Sequence, residues 1–283
     1  MAQGDRRHPA GTRHRGDRHP RDARRDAARG GRGPLSTDTS SPAGAPAAPT
    51  AIRPAEALVG VFASPGETFA RLLARPTWWL PFVIFLVVGA ASFAVVSSRI
   101  DWERSAEEIL AKQAQKTGHA APEGTAERMA PVMRVWGLAS APVVLAGQLF
   151  LVALALWAAE RAFGGEARYA GVLSIWAHAN LANVIGALLV VAVALAAPPA
   201  SVPLTGIERL VKSSLGAFLP ESAPPPLVTL GSCLDLFSLA ALALLVVGFR
   251  RIPGLSRGGA TALPIVLWLV YVACKTGLAF LRS

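Results

Sequence analysis

This chain of 283 residues is 52% hydrophobic and only 16% charged, with a formal net charge of +10. Soluble domains carry about 25% charged residues, so the composition excludes an ordinary soluble globule. Residues 1–53 hold eleven arginines against five aspartates, and this uneven placement of charge does not indicate a nucleic-acid-binding domain. The two cysteines, Cys233 and Cys274, are too few for a disulfide framework or a zinc site.

The first segment, residues 1–54, is rich in Arg, Gly, Pro and Ala and has almost no bulky apolar side chain. Such a segment cannot bury enough apolar surface to offset the entropy lost on ordering, so we predict a disordered basic tail. A solvated leader is the favoured interpretation, because unstructured charge runs are common. The alternative is a basic arm that contacts anionic lipid or nucleic acid.

The remaining residues, 55–283, contain five apolar stretches close to the roughly 20 residues that a bilayer-crossing helix needs. Backbone polar groups in lipid must be satisfied within their own segment, so these stretches are predicted to be helical. The sequence therefore predicts an all-α polytopic membrane protein built as a bundle of five transmembrane helices. The predicted helices cover approximately residues 80–98, 138–159, 175–197, 230–249 and 263–280.

Two capping-box patterns, Ser64–Glu67 and Thr205–Glu208, predict the starts of short helices outside the apolar stretches. The first helix carries Phe69 and Leu72 on one side and charged residues on the other, and Pro76 ends it. It is too short and too charged to span a membrane, so we expect it to lie in the headgroup plane. The second pattern predicts an interfacial helix over residues 207–218 on the outer side.

The orientation follows from arginines in short loops, which favour the cytoplasmic side. Three regions carry them, and a five-helix topology places all three on the same side of the membrane. The sequence therefore predicts a cytoplasmic N-terminus and an outer C-terminus. The arginines are Arg71, Arg75, Arg161, Arg168, Arg250, Arg251 and Arg257.

Asp235 and Lys275 are the acid and base that lie well inside predicted spans, where a charge costs about 2.5–3.5 kcal/mol. In a hairpin whose loop centres near Leu255, the two residues lie at equal depth. Three interpretations remain open. Asp235 caps local backbone while Lys275 snorkels outward; the two form a structural clamp; or they mark an ion or proton pathway. A structural role is favoured.

The third predicted helix carries Ser174, His178, Asn180 and Asn183 in its first half, and Gln148 lies in the second. Helical periodicity places Ser174 with His178 on one face and Asn180 with Asn183 on another. Interhelical hydrogen bonds are the ordinary explanation, and a substrate path is the alternative. No HExxH, GxSxG or nucleotide-binding motif is present, so we predict no metal, cofactor or catalytic residue.

Three stretches together resemble a known family. Phe62–Phe69, followed by Arg75–Pro81, resembles the start of the Yip1-domain membrane proteins in their bacterial branch, and Gly164–Tyr169 is similar to that branch's glycine-marked return to the membrane. Leu234–Leu239 resembles its fourth-helix motif. The resemblance covers about Ala55 to the C-terminus. It implies a five-helix bundle with a cytoplasmic N-terminus and a bacterial inner-membrane location.

Eukaryotic relatives in this family are linked to small GTPases and vesicle traffic, but that partnership is not carried over to a bacterial chain. The preferred hypothesis is a non-enzymatic membrane scaffold that recruits a protein partner or engages membrane lipids. The sequence is compatible with a homo-oligomer, and we expect no nucleic-acid partner. The alternative is a small transporter or lipid-handling permease that uses Asp235 and Lys275. A membrane-bound hydrolase ranks third, because no nucleophile–base pair is visible.

Overall fold

The computed structural model describes residues 52–198, 211–220 and 222–282. The predicted tail falls almost entirely outside this range, as does the predicted capping box Thr205–Glu208. The described residues form ten α-helices and a short 3₁₀ helix, Leu215–Phe218. The α-helices are α1 (Pro54–Ala63), α2 (Pro65–Ala74), α3 (Trp79–Ser97), α4 (Trp102–Thr117), α5 (Thr125–Ala162), α6 (Tyr169–Ala179), α7 (Leu181–Ala196), α8 (Pro225–Cys233), α9 (Leu236–Phe249) and α10 (Arg257–Arg282).

The all-helical membrane architecture is confirmed. Four helical stretches in the described residues are long and apolar enough to cross a bilayer: α3, α5, α6 with α7, and α10. The predicted crossing over residues 230–249 is divided into α8 and α9, and neither part reaches that length alone. A count of five crossings therefore stays a prediction.

Helix α5 is much longer than the apolar stretch 138–159 that predicted it. It runs over 38 residues, or about 57 Å at 1.5 Å per residue, against a hydrocarbon core of about 30 Å. It packs against the polar helix α4, which Asp101 caps by accepting a hydrogen bond from the Arg104 amide at 3.0 Å. Hydropathy marks only the apolar part of such a helix, so the helix extends beyond the predicted crossing, whose own bounds stay a prediction.

The third predicted crossing also begins earlier than expected, at Tyr169 instead of residue 175. Asn180 ends α6 and begins α7 while keeping a right-handed helical backbone, so the two helices run on as one 28-residue stretch. Helix α7 packs mainly on α3, and α6 packs on α2, α5 and α9.

Helix α2 packs its apolar face on protein, so its place in the headgroup plane stays a prediction. Phe69 and Leu72 are fully buried, in a core that also contains Ile175 of α6 and Phe249 of α9. Ser64 is the N-cap residue of α2, but its side chain makes no capping hydrogen bond. Protein therefore covers the face that lipid was expected to cover, and α1, which was not predicted, packs on the same core.

The expected interfacial helix over residues 207–218 is also not formed where the structure describes it. Ser214 instead forms an antiparallel bridge with Asp235. The Leu236 amide donates to the Ser213 carbonyl at 3.1 Å, and the Leu215 amide donates to the Leu234 carbonyl at 3.2 Å. This segment therefore supplies backbone partners at the point where α8 gives way to α9.

Candidate functional site: an arginine-lined end of the bundle

Three segments that are distant in sequence meet at one end of the bundle. The Glu166 amide, between α5 and α6, donates to the Pro253 carbonyl, between α9 and α10, at 3.0 Å. The Arg251 guanidinium lies directly against Gly66 at the start of α2. We call this end the arginine face and define it by the segment 64–75 and the loops 161–168 and 250–257. It unites the three regions that carry the loop arginines.

Two glycines allow these loops to approach closely. Gly164 and Gly254 have φ angles of 86° and 80°, in the left-handed region that glycine adopts without strain. A β-carbon on Gly254 would collide with the Gly164 carbonyl oxygen. The pairing of the two loops therefore depends on the absence of a side chain at Gly254.

A pocket of about 390 Å³ opens on the arginine face and is lined by Val247, Arg250, Arg251 and Arg257. It lies between the last turn of α9 and the first turn of α10. We call it the arginine pocket. Three arginines and one valine line it, and the aliphatic stems of the arginines make most of the wall apolar, so its chemistry favours an anionic ligand with an apolar part.

Local contacts position these arginines. The Arg250 Nε donates to the Thr261 hydroxyl at 3.1 Å, and the same hydroxyl donates to the Arg257 carbonyl at 3.0 Å. Ser256 accepts a hydrogen bond from the Gly259 amide at 3.0 Å and so caps the start of α10. The ion pairs found among the described residues join Arg53 to Glu56 and Arg104 to Glu108, so no described carboxylate lies within 4 Å of the pocket's guanidinium groups.

Asp235, predicted inside a span, lies at the break between α8 and α9. Its carboxylate is the N-cap of α9 and accepts hydrogen bonds from the Phe237 amide at 2.9 Å and the Ser238 amide at 3.2 Å. No ion pair joins it to Lys275, which is half-buried on α10. The clamp between these residues is therefore not formed. Asp235 instead caps the backbone amides at the start of α9.

This geometry predicts an asymmetric response at Asp235. Asp235→Ala should lower the free energy of unfolding by about 1 kcal/mol, because two amides at the start of α9 lose their acceptor. Asp235→Asn should change it little, since asparagine caps helices equally well. Lys275→Met is the matched control and should also be neutral. Thermal unfolding of the purified variants in detergent checks this, and recovery of Asp235→Ala by Lys275→Met would contradict it.

The polar residues of α6 and α7 form the two pairs that helical periodicity predicts. The His178 ring Nδ1 lies 2.8 Å from the Ser174 carbonyl, and His178 is fully buried. The Asn183 amide donates to the Asn180 side-chain oxygen at 2.6 Å. Both pairs lie within one continuous helical stretch, so the described hydrogen bonds of these side chains stay within α6 and α7 and do not reach another helix.

Gln148 is separate from these groups. Its side chain is exposed on α5, whereas its neighbour Leu149 is buried against α6. The structure therefore does not bring the predicted intramembrane residues into one site. Asp235 and Lys275 are unpaired with each other, the α6–α7 groups bond locally, and Gln148 faces outward.

Glu160 is a buried polar residue that the sequence reasoning missed. It is fully buried near the end of α5, and its carboxylate lies directly against Gly165. The adjacent Arg161 donates from Nη1 to the Gly165 carbonyl at 3.3 Å. In the sequence, Glu160 stands one helical turn before the pair Gly164-Gly165. Two residues without side chains leave space beside the turn for the carboxylate of Glu160.

Comparison with known proteins agrees with this architecture. The family model of the Yip1 domain matches residues 59–276. The chain is 24% identical over 216 residues to the membrane protein YknW of Bacillus subtilis (strain 168), covering 76% of this chain and 86% of the relative. No solved structure matches the chain. The chain belongs to the Yip1-domain family of membrane proteins.

Proposed function

We propose that this protein is a non-enzymatic scaffold of the bacterial inner membrane, whose arginine face recruits a protein partner or engages anionic lipid. The observation that carries the proposal is the convergence of three arginine-bearing segments on one end of the bundle. Hydrogen bonds and close glycine contacts hold these segments together, so the arginines form one surface.

Short-loop arginines favour the cytoplasm, so we assign the arginine face to that side, with the C-terminus outside. The chain leaves this face in α3, returns in α5, leaves through α6 and α7, and is back at Pro253 after α9. Helices α8 and α9 therefore serve as one interrupted crossing, and α10 makes the fifth. Helix α9 alone rises about 21 Å, so α8 must contribute to the crossing.

The structure offers less support for the transporter alternative. A transport pathway needs ionisable groups that face a shared cavity or one another. The carboxylate of Asp235 is instead directed at the backbone amides of α9, and Lys275 is not paired with it. The scaffold is therefore the function that we carry forward.

Site-specific photo-crosslinking in living cells tests the proposal. A photoreactive amino acid at Gly258 would report on the arginine face, because this position has open space around it. The same amino acid at the exposed Glu123, before α5, is the matched control. We expect a reproducible protein or lipid adduct from Gly258 and none from Glu123. Recovery of neither adduct, with one solute co-purifying instead, would contradict the scaffold and favour a transporter.

A further inference from the structure

We propose that the arginine pocket binds the phosphate of an anionic phospholipid headgroup. The pocket is the space bounded by Val247, Arg250, Arg251 and Arg257. This inference rests on the proposed function and deepens it, because it names one ligand class and one place on the arginine face.

The charge of the pocket selects an anion. Its lining contains three arginines and no acid, and no described carboxylate forms an ion pair with them. A guanidinium presents planar N–H donors that match two phosphate oxygens at once. Three such groups around about 390 Å³ can therefore supply several charge-assisted hydrogen bonds to one phosphate.

One guanidinium group is held by a hydrogen bond, and a second is confined by close packing. Arg250 is bonded to the Thr261 hydroxyl, and Arg251 lies against Gly66 of α2. Long side chains lose rotamer entropy when they bind a ligand, and prior positioning reduces that loss. A cluster of freely rotating arginines would lack this advantage.

The position of the pocket selects a lipid over free phosphate. It lies between Phe249, the last residue of α9, and Arg257, the first residue of α10. Both helices carry apolar sequence away from this point into the bundle. Val247 adds an apolar wall on that side of the pocket. A phosphate placed here would have its acyl chains directed toward the exposed apolar residues further along α10, Val266, Leu269 and Val270.

The test uses the full chain, purified from nanodiscs made of equal parts dioleoyl phosphatidylglycerol and dioleoyl phosphatidylcholine. Native mass spectrometry then compares the phosphatidylglycerol retained by the wild type with that retained by R250Q/R251Q/R257Q. Each guanidinium in the pocket can donate paired charge-assisted hydrogen bonds to the phosphate, so the triple variant should lose affinity about a hundredfold.

The matched control is R71Q/R75Q/R168Q, which removes the same charge from the arginine face but leaves the pocket lining intact. We expect it to keep phosphatidylglycerol within about threefold of the wild type at 0.15 M salt, where exposed charges are screened beyond about 8 Å. Equal losses in the two triple variants would overturn the proposal, because general surface charge would then explain the binding. Thermal unfolding of both variants shows that they remain folded.

A competition arm separates the two sources of phosphate. Inorganic phosphate, added at the concentration of the lipid, should leave the retained phosphatidylglycerol unchanged. Displacement by inorganic phosphate would assign the pocket to a free anion and overturn the lipid assignment. If lipid selectivity is absent while the Gly258 crosslink to a protein persists, the pocket inference fails and the scaffold function stands.

Discussion

Phe69→Ala should lower the free energy of unfolding by about 3–5 kcal/mol, the usual cost of removing a buried phenyl ring. Phe69 has 0% exposure and lies in the core where α2 meets α6 and α9. The substitution would leave a cavity between α2 and the helices α6 and α9. Thermal unfolding in detergent, followed by size-exclusion chromatography of the heated protein, measures the loss.

Phe62→Ala is the matched control, because it removes the same ring from the neighbouring helix α1. Phe62 is 47% exposed, so its truncation should cost less than about 1 kcal/mol. Equal stability losses for the two variants, or a larger loss at Phe62, would mean that α2 rests on lipid as its sequence pattern indicates. The comparison therefore tests the docked position of α2.

Gly254→Ala should be the next most damaging change, with a cost of about 2 kcal/mol or more. A left-handed backbone costs a side-chain-bearing residue about 1–2 kcal/mol, and here the added β-carbon also collides with the Gly164 carbonyl. Because that carbonyl belongs to backbone, the two loops must separate to relieve the collision. Thermal unfolding and crosslinking from Gly258 would both report the disrupted arginine face.

Gly258→Ala is the control for this substitution, only four residues along the same chain. Its β-carbon would meet nothing within 4 Å, and the residue lies in the first turn of α10. Alanine is the better helix former, so the change should be neutral or stabilising by up to about 1 kcal/mol. A loss at Gly258 as large as that at Gly254 would contradict the proposed role of the loop contact.

Hydropathy predicted the long helices well where apolar residues fill the whole element. The predicted stretch 80–98 corresponds to α3 at Trp79–Ser97, because this helix is apolar from end to end. Hydropathy did not mark the first part of α5, because Glu127, Arg128 and Arg134 interrupt its apolar residues. It also failed at Asp235, because an N-cap inside an apolar stretch starts a new helix.

The burial of α2 could not be read from its own residues. An amphipathic helix with Phe69 and Leu72 on one face is equally suited to a lipid surface and to a groove in protein. The groove is formed by α6 and α9, which lie about 100 and 170 residues further along the chain. Only tertiary packing decides between the two environments.

The sequence predicted the charge of the candidate site but not the contacts that assemble it. The loop arginines indicated one charged side, as the alternation of crossings requires. The contact between Gly254 and Gly164 and the seating of Arg251 on Gly66 depend on how the loops meet, which residue spacing does not specify. Conversely, the sequence predicted that Asp235 and Lys275 are intramembrane charges of possible functional importance. The described contacts of Asp235 are local hydrogen bonds that cap α9.

Cysteine labelling in intact cells decides whether the arginine face lies in the cytoplasm, as we propose. Single cysteines at Gly258 and Glu123, in a chain carrying C233A and C274A, would be exposed to a membrane-impermeant maleimide. We expect Glu123→Cys to be labelled in intact cells and Gly258→Cys to be labelled only after the cells are opened. Labelling of Gly258→Cys in intact cells, with Glu123→Cys protected, would contradict that proposal.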